Sequence, residues 1–430
     1  MAESEILAGD LPAKRAGGPT GIGLQEDAPP SGKVRRRPSA QPTAVTDAPK
    51  PRHFRPDVAG LRALAVLLVV LYHAGVTQVS GGFVGVDVFF VISGFVITGV
   101  LLREREKTGR TSLAGFYARR ARRILPAATM VIVSTVVMSY QWLGFVQGDQ
   151  VASDAKAAAL FFANFHFIAL GTSYLTARLP PSPLQHYWSL SVEEQFYFLY
   201  PMLFILALSL WRRVPRAGRL TALLVLVILV SFSFSVVETS SDATAAYFSP
   251  LTRAWELAFG GLLAVVGPSL MKLPSRVAVG LAWVGATCLL TAAFLYGAST
   301  AYPGYDVALP VLGAGAVIAG GTAAPRLGTE LVLGRRPFQW LGNISYSLYL
   351  WHWPVLIIAE EHATTPLSLV HKLVLVLVAL AISVISYVLI ENPVRRSSWL
   401  ASSNVRSLVM GGALIAVSLT VAYIEIAVHG

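Results

Sequence analysis

The chain has 430 residues, 54% apolar and only 13% charged, with a mean hydropathy of +0.61. A globular domain carries about 25% charged residues, so this composition excludes a water-soluble fold for the bulk of the chain. The formal net charge of +11 does not imply a nucleic-acid partner, because the basic residues lie in short loops between apolar runs. The single cysteine, Cys288, excludes a disulfide framework and a thiolate metal site.

Residues 1–52 are rich in Ala, Pro, Gly and charged side chains, with no apolar period. They are expected to form a disordered cytoplasmic tail and not a cleavable signal peptide. The cluster from Lys33 to Arg36 is placed to touch anionic membrane lipid. Apolar runs then follow at about 60–77, 83–102, 124–142, 190–210, 220–237, 251–269, 277–296, 306–322, 341–360, 369–390 and 407–427. A hydrocarbon core of roughly 30 Å needs about 20 such residues per helix, so these runs are read as eleven spans of an all-α polytopic membrane protein. With the N-terminus inside, the tail and the inner loops hold 29 of the 34 basic residues, a bias that fixes orientation and puts the C-terminus outside. A further run, Ala155 to Leu170, would spoil this asymmetry if it crossed. It is expected to be a re-entrant or interfacial helix on the outer side, followed by an irregular external loop at Pro180, Pro181 and Pro183.

Ionisable residues inside apolar runs are costly and mark functional sites. The first run carries Arg62 and His73, about 16 Å apart on a helix and therefore not a pair. A histidine there suits a general base, while Arg62 suits an anion, Asp57 or a carboxylate of another span. Gly81, Gly82, Gly85 and Gly94 let helices approach closely in the next run, and Asp87 is placed either to face His73 and orient its ring or to serve a structural role at the helix end near the interface. The segment Arg119-Arg120-Ala121-Arg122-Arg123 allows two i, i+3 pairs, Arg119 with Arg122 or Arg120 with Arg123, suited to phosphate oxygens. Glu193 and Glu194 exceed what capping the following helix requires, and one of them is expected to point into a cavity. Glu256 pairs with Arg253 or lines the acceptor cleft. Ser345, Tyr349 and His352 share a helix face ahead of a kinking Pro354, which makes His352 the rival base. Glu391 closes the tenth span, where it can hold an arginine.

Four stretches carry a family resemblance: Arg62 with His73, the Arg-x-x-Arg segment before the third span, Trp188-Ser-Leu-Ser-Val-Glu-Glu-Gln195, and Ser345-Tyr-Ser-Leu-Tyr-Leu-Trp-His-Trp-Pro354. Over residues 54–396 the chain resembles the acyltransferase 3 family of integral membrane O-acyltransferases. The resemblance implies a ten-helix acyltransferase core at 53–396, followed by a linker and eleventh helix at 397–430. It makes Arg62 and His73 essential and His73 catalytic ahead of His352; the residue reading adds Asp87 and Glu194 as supporting members of the site. It places Arg120 and Arg123 as the coenzyme-binding pair ahead of Arg119 and Arg122, with Arg62 and Glu391 nearby. The implied reaction moves a short acyl group, acetyl foremost, from cytoplasmic acyl-coenzyme A to a hydroxyl of an envelope glycan or glycolipid outside, with His73 as base or as acyl carrier. No metal is expected, since no metal-ligand or Walker motif occurs. An exporter without chemistry is the alternative reading. In resembling enzymes the eleventh helix can carry a secreted esterase-like domain. No Gly-Asp-Ser-type motif follows it here, and the sequence leaves open whether such a domain was removed.

Overall fold

Inside a bilayer every backbone N–H and C=O must be satisfied within its own segment, which leaves helices as the solution for runs of this composition. The computed structural model describes residues 55–172, 174–175, 181–210 and 213–429, and the expected disordered tail at 1–52 lies outside the described residues. The chain opens with α1 (Pro56–His73), α2 (Gly85–Thr108) and α3 (Leu113–Leu143). Gly109 ends α2 in the left-handed region, at φ 72°, and the Ser112 hydroxyl accepts from the Gly115 amide to start α3. The segment Arg119–Arg123 is therefore the second and third turns of a helix continuous with the third span.

Next come α4 (Phe145–Ala159) and α5 (Ala163–Ala169), then α6 (Tyr187–Ser209), α7 (Arg216–Ser241), α8 (Ala243–Phe248), α9 (Pro250–Val265) and α10 (Gly267–Leu270). The rest is α11 (Ser275–Leu295), α12 (Ala308–Ala323), α13 (Glu330–Leu333), α14 (Arg336–His362), α15 (Leu369–Ser386), a π turn at Tyr387–Glu391, α16 (Asn392–Arg396), α17 (Ser398–Ala401) and α18 (Asn404–His429). Among the described residues each of the eleven expected spans coincides with a helix of 16 residues or more. Seven of these segments are long and apolar enough by themselves to cross a membrane, so the chain is an all-α, multi-pass membrane protein. The helices α6 and α14 fall outside that set because the polar residues that build the site dilute their apolar character.

The run Ala155 to Leu170 does not form one helix. It is the end of α4, a tight turn with Phe161 at φ 56°, and the short α5. Tyr140 near the end of α3 bonds Asp149 near the start of α4, and Phe161 reaches the level of Leu125. The segment therefore descends antiparallel to α3 and turns back. Gln195 of α6 donates to the Phe161 carbonyl and to Asn164 Oδ1, both at 2.8 Å, which satisfies polar groups at the turn. Pro180 lies outside the described residues; Pro181 and Pro183 belong to an irregular stretch before α6 that is packed into the bundle. Leu184, Gln185 and His186 are buried, and Trp353 Nε1 donates to the Ser182 carbonyl at 2.9 Å. Irregular backbone is tolerated at such depth because protein surrounds it. Small residues set the helix crossings: a Cβ on Gly94 of α2 would lie 1.7 Å from the Leu257 carbonyl of α9, and one on Gly260 would lie 1.9 Å from that of Val91.

Candidate active site

Two polar clusters occupy the core, one at the end of the bundle where α1 finishes and one where α3 begins. At the first, His73 is the last residue of α1. Its Nδ1 is 2.9 Å from His352 Nε2, and its Nε2 is 2.7 Å from the Tyr174 hydroxyl. His352 Nδ1 lies 3.0 Å from the Leu348 carbonyl one turn earlier. A carbonyl only accepts, so His352 carries its proton on Nδ1 and presents an Nε2 lone pair. That lone pair in turn requires the His73 proton on Nδ1. The lone pair of His73 Nε2 then faces the Tyr174 O–H. The two imidazoles lie nearly parallel, at 6°, and the Trp353 ring is 4.3 Å from that of His73.

A third histidine, His186, fully buried, joins this cluster. Pro354 has no N–H for the Leu350 carbonyl four residues back, and His186 Nε2 takes that free acceptor at 3.1 Å. Tyr349 reaches Ser189 Oγ at 2.6 Å and the His186 carbonyl at 3.1 Å. His186 and Tyr174 were not foreseen as members of the site. The signal for His186 was the proline in α14, whose orphaned carbonyl needs a donor from another segment. Tyr174 gave no signal, since only the chain path brings it to α1.

Asp87 does not orient His73, whose two ring nitrogens are taken by His352 and Tyr174. It bonds Arg253 at 2.8 Å and the Tyr302 hydroxyl. The reason is the α2–α9 crossing, which buries Arg253 to 1% exposure and leaves a guanidinium that must be met by carboxylates. Glu256 serves the same cation at 3.1 Å and so belongs to this ion cluster. Arg253 also donates to the Tyr247 carbonyl at 3.1 Å, and the Tyr247 ring stacks on Tyr174 at 4.6 Å. The cluster thus supports the histidine site from behind.

At the other end the four arginines of α3 divide between two faces. Arg120 and Arg123 are buried at 6% and 4% exposure. Arg119 pairs with Glu104 at 2.7 Å, and Arg122 donates to Ser407 Oγ of α18 at 2.7 Å. Arg120 bonds Glu194 at 2.7 Å, lies 3.9 Å from Glu193, and covers the Tyr197 ring at 3.6 Å from its centroid. Arg123 differs. Both its terminal nitrogens are buried with no hydrogen-bond partner among the described residues. Arg62 closes on neither Asp57 nor another span's carboxylate by hydrogen bond; it donates to Ser345 Oγ at 2.8 Å, and its Nε is unpartnered. Glu391, expected to hold an arginine, accepts from Ser347 Oγ at 2.6 Å, within the field of Arg123, Arg395 and Arg62.

Helix α14 links the two ends. Ser345 meets Arg62, Ser347 meets Glu391, Tyr349 meets Ser189, and His352 meets His73. Seven residues separate the first from the last, about 10 Å along the axis. Between them lies a void of about 20 Å³ lined by Phe89, Phe90, Ser189, Glu193, Tyr346 and Tyr349. Among the described residues no group of three His, Cys, Asp or Glu side chains is arranged for a metal ion.

An all-helical membrane bundle with a histidine pair at one end, open arginines at the other and a polar seam between them defines a class of site. The chain belongs to the acyltransferase-domain family, whose model matches residues 55–388. It is 34% identical over 363 residues to the putative peptidoglycan O-acetyltransferase YrhL of Bacillus subtilis, covering 80% of this chain and 56% of that protein. It is 31% identical over 368 residues to the peptidoglycan O-acetyltransferase OatA of Listeria monocytogenes, covering 81% and 57%. It is 32% identical over 364 residues to the O-acetyltransferase OatA of Staphylococcus aureus, covering 82% and 58%. The chain thus spans little more than half the length of these relatives. No solved structure matches it.

Proposed function

We propose that this chain transfers a short acyl group, acetyl foremost, from acyl-coenzyme A to a hydroxyl of an envelope glycan of the peptidoglycan type. The arginine end faces the cytoplasm and the histidine end faces outward, with ten core helices crossing the bilayer and α18 as an eleventh. The carrying observation is the directed chain from the Tyr174 hydroxyl to His73 Nε2, from His73 Nδ1 to His352 Nε2, and from His352 Nδ1 to the Leu348 carbonyl. It supports a neutral His73 imidazole with its lone pair aimed at a hydroxyl, as a general base for an alcohol requires.

The acceptor hydroxyl takes the position the Tyr174 hydroxyl holds. His73 Nε2 receives its proton as the oxygen attacks the thioester carbonyl. The C–S bond then breaks, and the proton passes to the departing thiolate. His352 acts through His73, holding its tautomer and ring plane. At the cytoplasmic end Arg123, with two open nitrogens, takes donor oxygens, and Arg62 extends the cationic surface. The relatives' names, peptidoglycan O-acetyltransferase among them, support this substrate class. Isothermal titration of the purified protein with acetyl-coenzyme A tests the reading. Micromolar to millimolar binding is expected, and its absence removes the donor site.

A further inference from the structure

The family match ends at residue 388, yet a cleft beside the arginine cluster has α18 as one wall. This cleft has a volume of about 220 Å³ and lies between α3 and α18, with the α4–α5 turn at Phe161 closing its far end. Its floor carries Arg120 and Glu194. Glu193, the neighbouring residue, lines the internal void that leads to Ser189 and Tyr349, and Arg120 lies within 3.9 Å of both carboxylates. The Arg120–Glu193–Glu194 group is therefore the partition between the outer cleft and the inner void. An ion pair opening sideways from a membrane bundle is costly unless something polar covers it, and Glu194 keeps 16% of its side chain exposed. The cleft is otherwise apolar, so its occupant combines an aliphatic body with hydrogen-bonding groups at the depth of Arg120.

The geometry points to this cleft as the access route of the donor's acyl-pantetheine arm, a chain of methylenes interrupted by amides. The inference rests on the donor reading above and adds that α18 forms a wall of the donor site. The arm enters beside Tyr117 and Leu408, passes the Arg120–Glu194 pair by displacing it, and follows the void towards His352. Gly412 keeps the route open: a Cβ there would meet nothing within 4 Å, so the glycine leaves space and does not serve a helix contact. Arg122 holds the wall in place through Ser407 Oγ at 2.7 Å and the Leu400 carbonyl at 3.3 Å.

Acetyl-coenzyme A is titrated into the wild-type chain, Gly412→Phe and Gly280→Phe. Gly280 also faces open space, on α11 away from this cleft. Gly412→Phe is expected to weaken binding by about tenfold or more, and Gly280→Phe by less than about twofold. Equal affinity in wild type and Gly412→Phe overturns the route and leaves the donor reading standing, whereas a wild type that does not bind overturns both. A second readout covers poor folding of the phenylalanine variant. In a Cys288→Ala background, maleimide alkylation of Gly412→Cys is expected to slow about fivefold or more with saturating acetyl-coenzyme A, as mass-action occlusion requires. Unchanged alkylation means that lipid and not the donor fills the cleft, which also overturns the route.

Discussion

At the scale of single residues, the proposed proton arrangement gives the two histidines different roles, His73 as base and His352 as its positioning partner. His73→Gln and His73→Ala are both expected to lower acyl transfer by about 10²–10⁴-fold, the usual contribution of a general base, measured as product from acetyl-coenzyme A in proteoliposomes. His352→Ala removes one hydrogen bond of about 1 kcal/mol and should cost only several-fold in kcat with the donor KM unchanged. A reversed order would make His352 the base. The arginines separate in the same way. Arg123→Ala is expected to weaken acetyl-coenzyme A binding by about 1.5–3 kcal/mol, a charge-assisted contact, while Arg119→Ala, already neutralised by Glu104, should bind as wild type by isothermal titration.

At the scale of elements, α2 and α9 touch through backbone, and the bundle depends on that approach. Gly94→Ala puts a methyl against the Leu257 carbonyl, so it is expected to destabilise by about 1–3 kcal/mol through overpacking. The check is a lower unfolding midpoint in detergent, and an unchanged midpoint would show that the helices can separate at no cost. The same crossing explains why Asp87 serves Arg253 and not His73. A helix pair close enough to exclude water must neutralise any charge it buries. In α14, Pro354→Ala restores an N–H for the Leu350 carbonyl, leaving His186 to compete for it. Transfer is expected to fall while acetyl-coenzyme A affinity stays constant, since the change lies at the histidine end.

At the scale of the whole molecule, the proposed orientation makes the arginine end cytoplasmic. A cysteine at Arg110, exposed between α2 and α3, should resist a membrane-impermeant maleimide in intact cells, and one at Thr365, exposed between α14 and α15, should react. Reaction at Arg110 would invert the assignment and place the coenzyme site on the wrong side for a cytoplasmic donor. The two ends of the site also explain why a multi-pass bundle suits the proposed reaction. A highly charged donor stays on one face while its slender arm alone enters the apolar interior, where desolvation of phosphates would be prohibitive.

The sequence by itself determined the helical membrane architecture, because residues confined to hydrocarbon have few ways to satisfy their backbone and long apolar runs reveal each one. It also pointed to the inward pair of arginines, once i, i+3 spacing was combined with the resemblance. Tertiary structure alone decided the partners of the buried charges. Ion pairs and imidazole tautomers depend on which helix faces cross, so Asp87 with Arg253, His73 with His352 and Tyr174, and Glu391 with Ser347 were settled by packing between segments far apart in the chain. The break between α4 and α5 was decided there too: charge asymmetry argued against a crossing, but the turn at Phe161 and its satisfaction by Gln195 of α6 depend on contacts between distant segments.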